Sequence, residues 1–343
     1  MRLRLSCGVR GLVSQHDTPE SAQSLRRRVS RSPLTFPMAN NLINNSRWLL
    51  ATGLLAITTV SSSLNAGTPA SAKNPPAPPE AAVDWKVNTI SPVTNPIFFE
   101  DPVIRTELRP IFAYHRIDGG FATGAGEAQL YALQLRYALT DRLAFIATQD
   151  GFFNVDLDAG VSLDGWMDLA AGFKYALIDD PANQFILTPG FTFHIPSGSE
   201  EVFQGRGDGE WNVFVSAAKG FDNLHFTGNI GARIPHDSDA QSTILHYSLM
   251  VDYYAHQYFI PFIAANAWTV LSEGNNVPFT SEGYDVINFG SSEAGGVTQM
   301  TVGAGFRSRL TQHVDFGFAY ELAALSPEGL TDDRFTFDVS IRF

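Results

Sequence analysis

Residues 334–343 read RFTFDVSIRF, and their strict alternation is the starting point for the fold. Successive side chains of a strand point to opposite faces, so Phe335, Phe337, Val339, Ile341 and Phe343 share one side, and Arg334, Thr336, Asp338, Ser340 and Arg342 the other. A soluble sandwich would bury the apolar face against a second sheet. A membrane barrel turns that face to lipid and keeps the polar one around a wet lumen. One strand fits both, so the rest of the chain decides.

The same pattern recurs upstream. Val314, Phe316, Phe318, Tyr320 and Leu322 oppose Asp315, Gly317, Ala319 and Glu321, while Met300, Val302, Ala304 and Phe306 oppose Thr301, Gly303, Gly305 and Arg307. Charges on the inner face of strand after strand are costly in a sandwich core and ordinary in a lumen. Beyond the N-terminal region no apolar run is long enough to cross a bilayer as a helix. The composition, with 29 Gly, 26 Phe and 10 Tyr in 343 residues, suits short alternating strands.

Twelve segments carry the pattern: 104–116, 127–139, 143–153, 166–178, 184–195, 210–221, 224–234, 242–255, 258–270, 298–310, 313–325 and 333–343. Most are long for a soluble sheet and right for a tilted membrane span. The connections alternate between tight turns, such as Thr140-Asp141-Arg142, Asp222-Asn223 and Thr311-Gln312, and long loops, such as 154–165, 196–209 and 271–297. Outer-membrane barrels pair short periplasmic turns with longer external loops. The expected fold is therefore an all-β, up-and-down antiparallel transmembrane barrel of twelve strands, with both termini periplasmic and loop 271–297 over the external mouth. Tyr137, Tyr175, Phe221, Tyr253 and Tyr258 fall at the short-turn ends, where amphipathic rings favour the lipid interface.

Ahead of the barrel, Trp48–Val60 is apolar, follows Arg47 and precedes small residues 61–66, which reads as a secretory signal peptide. Residues 1–66 form a removed leader whose initiator is Met38, giving a signal peptide 38–66 cleaved after Ala66; Ala70-Ser71-Ala72 is the alternative cleavage motif. The single cysteine, Cys7, lies in that leader, which leaves the mature chain without disulfide or thiol chemistry. From Gly67 on there are 15 basic and 33 acidic residues, a formal charge of −18, which excludes nucleic acid as a partner. Residues 67–102 hold eight prolines and read as a flexible periplasmic tether, the alternative being that Phe98-Phe99 docks in the barrel mouth as a small plug. Residues 103–343 form the barrel.

The final strand, ending in Phe343, resembles the assembly signal of outer-membrane proteins. The resemblance implies the barrel-insertion machinery and outer-membrane lipid as partners, and the bacterial outer membrane as location. The stretch 137–145, YALTDRLAF, and the related RLTQHV at 309–314 resemble the family of transporters associated with the meta pathway of phenol degradation, over the region from Arg105 onward. That resemblance implies passage of small solutes, apolar or aromatic, and it carries over no residue roles.

The polar phase of the strands places Arg105, Glu107, Arg109, Arg136, Asp150, Lys174, His194, Arg233, Asp252, Arg307, Arg309 and Glu321 along the pore. Opposed cationic and acidic walls orient polar solutes in a pore, or they pair across a narrow barrel and satisfy one another. Arg105, Glu107 and Arg109 of the first strand meet Arg334, Asp338 and Arg342 of the last, where they would fix the closing register. An enzymatic alternative rests on His246 and Ser248, two apart on one strand face like the His-x-Ser of outer-membrane lipid hydrolases; their inward phase and the want of a third orienting residue speak against it. A purely structural or adhesive barrel is the remaining alternative. The glycine-rich run 205–209 and Asp237–Asp239 read as solvated loops, and no cofactor or metal is implied. The primary expectation is passive uptake of small solutes.

Overall fold

The computed structural model describes residues 84–325 and 329–343. The leader 1–66, with Met38, Cys7 and the cleavage motifs, and the Pro-rich stretch as far as residue 83 lie outside the described residues.

The described residues form one antiparallel sheet of fifteen strands. These are β1 (Glu107–Ile117), β2 (Gly126–Ala138), β3 (Leu143–Gln149), β4 (Phe152–Leu157), β5 (Val161–Trp166), β6 (Leu169–Tyr175), β7 (Ile178–Asp180), β8 (Phe185–Ile195), β9 (Glu210–Phe221), β10 (Leu224–Pro235), β11 (Thr243–Tyr253), β12 (Ile260–Ser272), β13 (Thr298–Arg309), β14 (Val314–Ala323) and β15 (Asp333–Arg342). The sheet closes on itself because β1 pairs with both β2 and β15. Around the barrel there are twelve staves, since β3 runs on into β4 and β5 into β6, which the short β7 extends. Closure leaves no edge strand, the condition for a sheet to sit in lipid with its backbone satisfied.

At the seam Leu108 faces Ile341 and Phe112 faces Phe337 on the outside. On the inside Arg109 pairs with Asp338, and the Ser340 hydroxyl donates to Glu107 Oε2 at 2.7 Å. Of the six charges expected to meet there, only Arg109 and Asp338 pair directly across the closure: Arg105 pairs with Asp101, Arg334 with Glu321 and Arg342 with Asp315. A one-residue slip would carry the inward charges of the slipped strand to the lipid side.

The outer surface is apolar through its middle, with Leu133, Leu135, Leu169, Val213, Ile230, Leu249, Ile263 and Val302 exposed, and Tyr137, Tyr175, Phe221, Tyr253 and Tyr258 ring the short-turn end. Exposed aliphatic side chains between aromatic rims would be an aggregation liability in water and are the expected surface in a bilayer.

Two expectations are corrected. Residues 154–165 are not a long loop: β4 and β5 form a hairpin joined at residues 158–160, with Gly160 at φ 81°. Asp150 is not in the lumen. The register shifts between Ala147 and Gln149, so the stave changes phase: Ala144 and Ile146 point inward before the break, Phe153 and Val155 after it. Gly151, at φ 125°, takes the turn. Asp150 sits in this irregularity, accepts the Leu133 amide at 2.7 Å, and lines an outer groove with Tyr131, Trp166 and Leu169. A bulge adds a residue that strand periodicity cannot count.

Candidate functional site

The lumen is occupied by the chain's own N-terminal segment. None of residues 84–106 joins a strand. The segment enters at the short-turn end, where Trp85 packs on Ala176, Ile186 and Ala218 and Lys86 pairs with Asp179 at 2.8 Å. It climbs through Ile90 and Val93, reverses at Asn95, whose carbonyl accepts the Phe99 amide at 2.9 Å, and descends to β1. Ser91 on the way up donates to Asp101 on the way down at 2.9 Å. Of the Pro-rich stretch, residues 84–102 are therefore not a tether; for these residues the alternative of a Phe98-Phe99 plug describes what is seen, and both rings are buried.

A buried main chain needs partners for its polar groups, and this one, interrupted by Pro92, Pro96 and Pro102, forms no ladder. Wall side chains supply the donors instead, reaching nine plug carbonyls. Arg309 donates to Val87 and Thr89, Arg307 to Ser91, Arg109 to Pro92 at 2.6 Å, Gln134 to Pro96, Ser216 to Glu100, Lys174 to Asp101 and Val103, and Thr188 to Pro102 at 2.7 Å. Arg109, Lys174, Arg307 and Arg309 of the wall are thus hydrogen-bond partners of the plug.

One carboxylate of the plug anchors it. Glu100 receives Arg136 Nε at 2.9 Å, Arg136 Nη2 at 2.7 Å and Lys174 Nζ at 2.7 Å. Burial by itself raises the Glu100 pKa, but the Arg136 and Lys174 charges and their hydrogen bonds outweigh it and lower the value from 4.5 to about 2. A released plug would carry an ordinary carboxyl, so release takes up a proton. The hold is complete above the ordinary value of 4.5, weakens below it, and is lost as the pH falls through about 2. Pepsin cleavage at Phe98-Phe99, normalised to a free Phe-Phe peptide, should therefore rise steeply between about pH 4.5 and about pH 2.5, and less so in Glu100→Gln. A flat normalised rate would refute the anchor.

The wall makes room for the plug at Gly317, where an added Cβ would lie 2.5 Å from Asp338 Oδ1 and 2.9 Å from Val93 Cγ2. Gly317→Val should weaken plug seating by about 1–3 kcal/mol, the usual cost of overpacking, read as faster chymotrypsin cleavage at Phe98 and Phe99 with the barrel intact.

The other end is filled by residues 273–297, which dip into the barrel rather than only covering it. Arg334 pairs with Asp285 at 2.7 Å and Glu321 at 2.8 Å, Tyr284 meets Trp268 edge-on at 5.0 Å, and Asn288 donates to Glu210 at 2.8 Å. Phe289 then packs on Phe121, Phe203 and Phe279. Between this loop and the wall lies a polar opening of about 30 Å³ bounded by His194, Gln204, Glu210, Arg233 and Asn288. That is room for about one water molecule.

Of the residues assigned to the pore, Glu107, Arg109, Arg136, Lys174, His194, Arg233, Asp252, Arg307 and Glu321 are buried inside the barrel. Arg309 also faces inward, Arg105 pairs with Asp101 at 2.5 Å, and Asp150 is the exception described above. His246 and Ser248 do not form a catalytic couple: His246 Nε2 contacts Asn212 at 2.7 Å, while the Ser248 hydroxyl accepts from Asn95 of the plug at 3.1 Å. The plug is what the strand pattern missed. The acidic pair Glu100-Asp101, immediately ahead of a predominantly basic inner wall, was the available signal.

No family model matches the chain, nor does any curated protein. Solved structures with a similar fold include the COG4313 outer membrane channel from Pseudomonas putida F1, at 18% identity over 70% of this chain and 96% of that one, with a TM-score of 0.49. The NanC porin follows at 9% identity over 69% and 98%, with a TM-score of 0.43. Outer membrane phospholipase A from Escherichia coli stands at 11% identity over 76% and 99%, with a TM-score of 0.36.

Proposed function

We propose that this protein is an outer-membrane channel for passive uptake of small solutes, held in a closed state by its plug, with its termini and short turns in the periplasm. The carrying observation is that the lumen is closed by a segment outside the sheet. Nine of its carbonyls are held by side chains of the wall, so it can leave without breaking any ladder of the barrel. A barrel with a merely structural role would fill its interior with its own inward side chains. Removing this segment would instead uncover Arg109, Arg136, Lys174 and Arg307 on a wet polar wall.

The solute class follows from the resemblance at 137–145 and 309–314: small molecules, apolar or aromatic. The apolar inner surface formed by Ala113, Leu130, Phe153 and Val155 under Val286, Ile287 and Phe289 supports this reading, since it gives such a molecule a surface along one side of an otherwise polar lumen.

The test compares planar-bilayer conductance and liposome uptake of the full chain with a form lacking residues 84–102, across aromatic, fatty and sugar compounds. The deletion should conduct and pass aromatic compounds ahead of sugars, and Arg307→Ala with Arg309→Ala in that form should change its ion selectivity. No flux through the deleted form, nor through one in which the loop 273–297 filling the other end is also cut back, would end the channel reading.

A further inference from the structure

The tip of the plug places an aromatic ring where a ring-shaped ligand would be held. Phe98 lies parallel to the His194 imidazole at 5.6 Å and 12°, against the His246 imidazole at 5.1 Å, and beneath the Arg233 guanidinium at 4.7 Å. Two imidazoles and a guanidinium around one ring form a cage suited to a flat π-system. His194 Nε2 and His246 Nδ1, both buried, have no hydrogen-bond partner among the described residues. Phe98 brings no polar atom to meet them, whereas a ring with a hydroxyl or carboxyl substituent would. The polar opening of about 30 Å³ shares His194 and Arg233 with the cage, so the two adjoin through these side chains.

We propose that the His194–His246–Arg233 cage is a binding site for an aromatic ring bearing a small polar group, and that Phe98 is its internal occupant, so an entering ring competes with Phe98 and releases the plug. This rests on the channel reading for its consequence, though not for its binding site. A ligand opens a gate only if it binds the open form better, and here the closed form has no vacancy, because Phe98 fills it. Rings should therefore open the channel while non-planar analogues of the same size and polarity should not.

The probe is benzyl alcohol, with cyclohexylmethanol as its saturated counterpart. Binding to the full chain in detergent is followed by ligand-observed NMR against empty micelles, with barrel folding checked by heat-modifiable migration. Phe98→Ala vacates a space of the kind that takes benzene in an apolar core, and it should bind benzyl alcohol at least tenfold tighter than the parent protein and tenfold tighter than cyclohexylmethanol. Gly231→Ala, whose added Cβ would lie 2.5 Å from His246 Nε2, should cancel most of that gain by displacing the imidazole. Unchanged binding in Phe98→Ala, or equal binding of the two alcohols, overturns the cage whatever the conductance does. In bilayers, benzyl alcohol should raise the open probability of the parent protein, and Phe98→Ala should be open without it. If the form lacking residues 84–102 conducts while both of those show no gating change, the gate is overturned; if no form conducts, the channel reading falls and the binding result still decides the cage.

Discussion

Glu100→Ala is expected to expel the plug from the lumen of an otherwise intact barrel. Removing one member of a buried ion pair costs about 3–5 kcal/mol, because the partner is left charged and unsolvated. Here the partners are two: Arg136, which keeps only Glu107 at 3.4 Å as an ion partner, and Lys174, whose other contacts are the plug carbonyls of Asp101 and Val103. The protein can escape that cost by letting the plug go, which admits water to both cations while the ladders β2–β3 and β6–β8 remain paired. The signature is chymotrypsin cleavage at Phe98 and Phe99 at neutral pH, together with steady conductance and an unchanged melting point. Glu100→Gln, which keeps acceptor geometry without charge, should fall between. A protected plug in Glu100→Ala would mean that the carbonyl contacts alone hold it.

The barrel was legible in the sequence and its stopper was not, for one physical reason. A strand at a lipid interface must alternate, so the phase of segments such as 314–322 and 334–343 could be read residue by residue, and in the structure Asp315, Glu321, Arg334 and Asp338 all point inward. The plug obeys no period. Its residues are satisfied one at a time by whichever side chain the wall presents, and three prolines make it look like a linker. The same limit explains Asp150, where a bulge reverses the phase; residues 154–165 differ, since Val155, Leu157, Val161 and Leu163 do alternate, but in two six-residue arms too short to read as a membrane span. Even the lumen charges were legible in position but not in partner: the pattern put Lys174 and Arg136 inside, yet gave no means of pairing them with Glu100 from outside the sheet.

Asp338→Asn should release the plug before it weakens the barrel seam. This carboxylate accepts Arg109 Nε at 2.7 Å and also Arg109 Nη2 from one side, and Arg307 Nη1 at 2.8 Å and Nη2 at 3.0 Å from the other. Both guanidiniums are about 1% exposed, so in the variant two buried cations would face one another with only an amide between them. Their remaining acceptors, the carbonyls of Pro92 and Ser91, belong to the plug. The penalty of about 3–5 kcal/mol for an uncompensated buried charge applies here to two cations, and it can be relieved in two ways. If the plug leaves first, chymotrypsin cleavage and conductance appear while urea unfolding in detergent is unchanged; if the seam yields, the unfolding midpoint drops with them. The β1–β15 and β14–β15 ladders run the length of this stave and do not depend on Asp338, so plug release is expected to come first. Replacing all three charges, Arg109→Met, Arg307→Met and Asp338→Leu, separates charge from packing, because a buried ionic cluster exchanged for apolar groups is often neutral or stabilising. The triple variant should keep the barrel as stable as the parent while still loosening the plug, whose Ser91 and Pro92 carbonyls would have lost their donors. A triple variant whose urea-unfolding midpoint falls below the parent's would show that shape, not charge, holds the seam.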